Sequence, residues 1–179
     1  DSADIRKNIV SIAKMLGYTP TSAKSPVADI SITVNNVPTS TASITMAKGT
    51  AFETTVDDVT YQYLTNAAIT LTPSDGVYTF SNVDIFEGTL VNFKYTVNTS
   101  DPDQKFIIPS VNADTTTLKV QVQNSSTDTT TATYTLASGL TSLDSTSKAY
   151  FLQEGDDGKF EVYFGDGVVG KSLSNSNIV

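Results

Sequence analysis

Near the end of the chain, Gly165-Asp166-Gly167-Val168-Val169-Gly170-Lys171-Ser172 satisfies the phosphate-loop spacing G-x-x-x-x-G-K-[ST] and the looser G-x-G-x-x-G. Taken alone, that spacing points to a nucleotide site. A phosphate loop, however, feeds directly into a helix, whose free N-terminal N–H groups and dipole hold the anion. Here Leu173-Ser174-Asn175-Ser176-Asn177-Ile178-Val179 follows, rich in turn formers and poor in helix formers. No later strand ending in a magnesium-binding Asp is present, and Asp166 inside the loop repels phosphate. The motif therefore reads as backbone turns in which glycine supplies positive φ.

The acidic pairs are the next candidates. Asp57-Asp58, Asp101 with Asp103, and Glu154 with Asp156-Asp157 have the composition of a glycosidase acid/base pair or of oxygen ligands for calcium. All are expected in turns, where a solvated carboxylate commonly bonds its own backbone. No stretch reproduces the twelve-residue calcium loop. Tyr61, Tyr63, Tyr78 and Tyr95 offer flat faces to sugar rings, yet most lie in alternating runs beside Val, Leu or Phe, the pattern of half-buried core positions. The N-x-[ST] matches at Asn98 and Asn124 are expected by chance in a chain this rich in Ser and Thr.

Composition narrows the chemistry further. The 179 residues include no Cys and no His, which removes disulfides, thiolate or imidazole metal sites and every scheme that needs a His base or Cys nucleophile. Eleven Lys+Arg stand against 19 Asp+Glu, a net charge of -8 that disfavours binding through phosphate neutralisation. No run approaches the roughly 18 apolar residues needed to span a bilayer, and no signal segment opens the chain. The run that closes at Val179 looks like a strand cut short, so a longer protein is expected.

Ser and Thr together make up over a quarter of the residues, and β-branched Thr suits a pleated, half-solvated surface. The expected fold is mainly β: sandwich or barrel-like modules with one short N-terminal helix. For that helix, Ile5, Ile9, Ile12 and Leu16 recur at helical spacing, with Ser2 as N-cap and Gly17 at the C-terminal cap. Tyr18–Pro26 reads as a connector. Period-two runs then predict strands at 28–34, 44–46, 51–56, 61–64, 68–71, 77–80 and 89–97, and, past the polar segment 99–103, at 106–108, 118–122 and 132–136. Two Asp-Gly turns separate runs at 150–154, 159–164 and 168–169, predicting a closing antiparallel meander. The expected organisation is a helix and connector over 1–26, a first β module over 27–100 and a second over 101–179.

The run Tyr150-Phe151-Leu152-Gln153-Glu154, its Asp-Gly turn and Glu161-Val162-Tyr163-Phe164-Gly165-Asp166-Gly167-Val168-Val169-Gly170-Lys171 resemble the signature of the baseplate wedge subunit of contractile-tailed, T-even-like phages, related to the baseplate J-like family. Lys48-Gly49-Thr50-Ala51-Phe52 is similar to that family's Gly-Thr-x-Phe strand start. Asp114-Thr115-Thr116-Thr117-Leu118 is similar to its Asp-Thr-Ser-Thr-Leu strand. The opening helix, ending in Leu16-Gly17-Tyr18 and leading to Ser25-Pro26-Val27-Ala28, also fits, while Asn175-Ser176 stands where the family places an Asp-Gly turn. Tyr150, Phe151, Glu154, Gly158, Tyr163, Phe164, Gly165, Asp166, Gly167, Gly170 and Lys171 carry the resemblance as structural positions.

The resemblance implies a structural subunit of a phage tail baseplate wedge. Such a subunit is assembled in the host cytoplasm, resides in the virion, and helps transmit the rearrangement that triggers sheath contraction. Its partners would be other wedge proteins, with a homo-oligomer formed by the full-length protein. No catalytic residue, cofactor, metal, nucleic acid or membrane enters that reading. Two others stay open on composition: a Thr-rich cell-surface adhesive β module, and a phage-tail hydrolase or nucleotide-using enzyme.

Overall fold

The computed structural model describes residues 6–16, 21–38, 40–72, 76–155 and 157–179. The chain is mainly β, with one helix, α1 (Arg6–Met15), among the described residues. It divides into two compact units, Ser25–Asn92 and a second that joins the residues before Ser25 to Phe93–Val179. That division falls inside the run 89–97. The turn at 99–103 lies within the second unit. In α1 the buried residue is Val10, whereas Ile9 and Ile12 of the predicted stripe are exposed; Ser2, Ile5 and Gly17 lie outside the described residues.

In Ser25–Asn92, strands β1 (Val27–Val34), β3 (Ala51–Val56), β4 (Val59–Thr65) and β6 (Tyr78–Glu87) form an antiparallel sheet in the order β1-β6-β4-β3. The short strands β2 (Ile44–Met46) and β5 (Ile69–Leu71) pair separately, and their Ile44, Met46, Ile69 and Leu71 pack against buried Phe80, Val83 and Ile85 of β6. The period-two reading ended β6 at Phe80, but the strand runs seven residues further. A β-bulge is the reason. Ile30 faces Val83 and Ile32 faces Phe80, so Ser81 and Asn82 together oppose Ser31. Asn82 takes φ +52°, and its N–H donates to the Ser31 hydroxyl. The extra residue shifts the phase of the strand, so that Val83 and Ile85 point inward again where strict alternation would expose them.

Threonine serves these exposed faces through cross-strand hydroxyl pairs at Thr33–Thr79, Thr45–Thr70 and Thr55–Thr60, the closest at 2.8 Å. Thr65, almost fully buried, is held differently. Its hydroxyl donates to the Ala47 carbonyl and accepts from the Thr50 N–H, which anchors the start of β3. β3 and β4 join through a two-residue turn in which Val56 faces Val59, and both Asp57 (φ +49°) and Asp58 (φ +63°) are left-handed, as a type I′ turn demands.

In Phe93–Val179, β7 (Phe106–Ile107), β8 (Val120–Gln123), β9 (Thr131–Leu136), β10 (Ala149–Glu154) and β11 (Phe160–Phe164) form one sheet in the order β7-β11-β10-β9-β8. A 3₁₀ turn at Thr115–Thr117, capped by the Asp114 carboxylate, precedes β8. β8 begins at Val120, two residues later than the strand expected from 118. β9 and β10 are parallel, joined by a long crossover, and the other pairs are antiparallel.

The run 89–97 is not a ladder strand. Its only bridge is Thr96 with Ile178, and Ile178 bridges on its other side to Gln123 at the β8 edge. The last residues thus lie between β8 and residues 95–97, with reciprocal backbone bonds between Tyr95 and Val179 and between Gln123 and Ile178. The Tyr95 ring then meets Phe106 edge-on at 5.9 Å, and its hydroxyl donates to the Ile107 carbonyl on β7, linking the far edge. The sheet curls into a barrel-like module around Ile108, Val120, Val122, Tyr134, Tyr150, Phe160 and Val162.

The left-handed aspartates at the β3–β4 turn predict that Asp58→Gly stabilises the chain by about 1 kcal/mol, because glycine takes positive φ without the Cβ penalty. Urea unfolding of wild type and variant checks it.

Candidate functional site

The residues singled out in the last third form one continuous structure. β10 and β11 pair in the register Tyr150–Phe164, Phe151–Tyr163, Leu152–Val162, Gln153–Glu161 and Glu154–Phe160. Alternation sends Tyr150, Leu152, Phe160, Val162 and Phe164 to the core side. Phe106, Phe164 and Tyr134 continue the edge-to-face series begun by Tyr95, at 5.5 and 5.4 Å. Phe151 and Tyr163 stack on the opposite face at 5.3 Å, with Tyr163 exposed. Burial raises the Tyr150 and Tyr134 hydroxyl pKa values.

Glu154 departs from the expectation of a solvated turn carboxylate. It ends β10 at 1% exposure, and no buried side-chain oxygen or nitrogen among the described residues lacks a partner. The hairpin closes through Gly158 at φ +76°, with Gly155 N–H on the Lys159 carbonyl. Asp157 pairs with the Lys159 ammonium at 2.9 Å, which lowers its pKa. Asp156 lies outside the described residues.

After β11 the chain bends sharply. The third apolar run, Val168-Val169, does not form the expected meander strand, because both of its N–H groups donate to the Asp166 carboxylate. Those two amides, Val169 first, hold the Asp166 pKa below its ordinary value. Gly167 N–H donates to the Gly170 carbonyl, Gly170 N–H to the Asp144 carbonyl and Lys171 N–H to the Ser147 carbonyl. Every N–H from Gly167 to Lys171 is thereby given to a protein acceptor. The nest that would cradle phosphate is filled by the chain itself, and residues 171–179 contain no helix.

Glycine is required here by contact as well as by φ. A Cβ on Gly165 would lie 2.3 Å from the Gly170 carbonyl carbon and oxygen, so the two backbones touch. Gly167 (φ +90°) and Gly170 (φ +83°) supply the left-handed bends. The acceptor side is a turn at Asp144–Ser147, outside every element expected from the sequence. The Asp144 carboxylate accepts from the Thr146 N–H and from the Thr146 and Ser147 hydroxyls, and these bonds, Ser147 first, bring its pKa to about 2. Its signal was present as Asp-Ser-Thr-Ser, an Asx-turn composition.

The remaining candidates stay apart. Asp57 and Asp58 sit at the β3–β4 turn, while the Asp101 carboxylate accepts the Asp103 N–H in a local turn. Among the described residues no three His, Cys, Asp or Glu side chains could hold a metal ion, and no helix is long and apolar enough to cross a membrane. Tyr78 is buried with its hydroxyl on the Thr41 carbonyl, Tyr63 packs on the core of its sheet, Tyr95 is half-buried, and Tyr61 is exposed. The Asn175-Ser176 position does make a turn, with Ser176 at φ +68° and the Asn177 side chain accepting the Ser174 N–H.

Residues 92–179, just under half of the chain and including the Phe93–Val179 part of one compact unit, match the family model of bacteriophage baseplate wedge protein gp6, third domain. Over that segment the chain is similar to the phage baseplate wedge family, a family of structural proteins. No curated protein matches the chain in sequence.

Gly165→Ala is expected to destabilise the chain by about 2–3 kcal/mol, since neither backbone segment can move aside, whereas Val168→Ala at an exposed position changes stability by less than about 0.5 kcal/mol. Chemical denaturation separates the two. Because the Asp144 pKa is depressed in the folded chain, its contribution is present above about pH 4 and lost as pH falls through about 2. Amide exchange at Gly170 and Lys171 should therefore accelerate over that window in wild type and lose the pH step in Asp144→Asn.

Proposed function

We propose that this chain works as a wedge subunit that supplies shaped β surface to its neighbours in the baseplate and passes on the rearrangement that leads to sheath contraction. The carrying observation is the family match over 92–179, whose residues make up most of one compact unit. In that unit the one motif suggestive of chemistry is engaged in holding two backbone segments together. A part that relays movement must resist local deformation, and a bend fixed by backbone contact and internal hydrogen bonds meets that need. The partners are other wedge proteins, the site of action is the virion tail, assembly takes place in the host cytoplasm, and the full-length protein forms a homo-oligomer. Tyr150, Phe151, Glu154, Gly158, Tyr163, Phe164, Gly165, Asp166, Gly167, Gly170 and Lys171 act as structural positions that shape this surface. The adhesive-module reading rested on composition alone and gains no support from the match.

The test is incorporation. The full-length protein should appear by mass spectrometry in purified virions and co-sediment with the other wedge proteins when mixed with them, and Gly165→Ala should reduce both. A full-length protein that is absent from virions and stays monomeric in the mixture overturns the reading.

A further inference from the structure

The β3–β4 hairpin extends beyond the sheet that anchors it. β4 pairs with β6 only at Tyr63–Thr65, so residues 53–61 form a two-stranded ribbon whose only ladder is its own, and every one of them is exposed. Its two faces differ. Phe52 and Tyr63, opposite one another, pack on the core, and alternation places Thr54 with Tyr61 and Val56 with Val59 on that same face. The apolar face therefore continues outward past the core, leaving Val56, Val59 and Tyr61 exposed at 53%, 51% and 37%. The other face carries Glu53, Thr55, Thr60 and Gln62. β3 is the terminal strand of the sheet, with one side of its backbone turned away from the ladder.

Charge selects the occupant. Ser25–Asn92 carries seven carboxylates against Lys48 alone, and Glu53, Asp57 and Asp58 give the ribbon three negative charges with no cation. A second copy of the same arm would bring like charges together, and an anionic surface would be repelled.

We propose that the β3–β4 arm docks a basic, extended segment of a partner protein. That segment adds a strand to the β3 edge, laying alternate apolar side chains along the Tyr61–Val56 face and intervening Lys or Arg toward Glu53 and the Asp57-Asp58 tip. Strand addition supplies the missing ladder, the apolar side chains cover the exposed face, and the charges set the choice of partner. The inference deepens the wedge reading by naming the chemistry of one partner.

Titrating the chain with a hexapeptide of alternating valine and lysine, and with its valine–glutamate counterpart, tests it by backbone amide NMR. The lysine peptide should shift the β3 amides and slow their exchange, bind roughly tenfold more tightly than the glutamate peptide, and weaken as salt is raised. The triple variant Glu53→Gln, Asp57→Asn, Asp58→Asn should abolish that preference, and Val56→Thr, Val59→Thr, Tyr61→Thr should weaken binding of both peptides. These side chains are exposed, and the same spectra verify folding. Absent binding, equal affinity for the two peptides, shifts away from β3, or concentration-dependent self-association through the arm would each overturn the proposal. None of these results touches virion incorporation, so the wedge reading stands or falls separately.

Discussion

A sheet of short strands with one apolar face and no second sheet to cover it must curl until that face closes on itself. This constraint governs the Phe93–Val179 unit. β7 pairs through only two residues and β8 has four, so neither edge is a stable boundary by itself. The edges are joined instead by the three-residue stretch around Ile178, by the backbone of 95–97, and by the Tyr95 ring and hydroxyl on β7. The edge-to-face series from Tyr95 through Phe106 and Phe164 to Tyr134 spans the enclosed space. Burying seven large apolar side chains, at about 1.5–3 kcal/mol each before entropy, favours the curl.

The glycine bend depends on that closed sheet. β11 delivers the chain to Gly165, and the crossover between β9 and β10 delivers the Asp144–Ser147 turn that accepts the Gly170 and Lys171 amides. Two segments more than twenty residues apart in sequence therefore form one backbone contact, and a spacing that resembles a phosphate loop is used for close packing. The chemistry available to glycine, positive φ and lack of a Cβ, is the same in both uses. What differs is whether the amides face a ligand or the chain.

Ser25–Asn92 is built more lightly. Three buried side chains form its central cluster, and two strands of three residues cover part of a four-stranded sheet. The sheet's apolar face outruns its cover, which is why the β3–β4 ribbon stands in water with Val56, Val59 and Tyr61 uncovered. An exposed apolar strip on an acidic unit is the kind of surface that commonly meets a partner.

Most of the strands were legible because period-two alternation and Asp-Gly turns are local properties: 28–34, 44–46, 51–56 and the 150–164 hairpin need only their own residues to be read. The resemblance to baseplate wedge proteins was legible too, since it rests on a linear motif. Three features were not. The outer half of β6 was hidden by the Asn82 bulge, which breaks alternation in one strand because of its pairing with another. Residues 89–97 alternate like a strand but lack a ladder, because their one backbone bridge is to the end of the chain. Glu154 has the composition of a turn carboxylate, yet it ends β10 opposite Phe160 and is buried. Residue types and spacing determined the β character, the absence of His and Cys chemistry and the glycine positions. Whether those glycine amides faced an anion or the Asp144–Ser147 turn was decided only when distant segments met, because a hydrogen bond is fixed by the partner as much as by the donor.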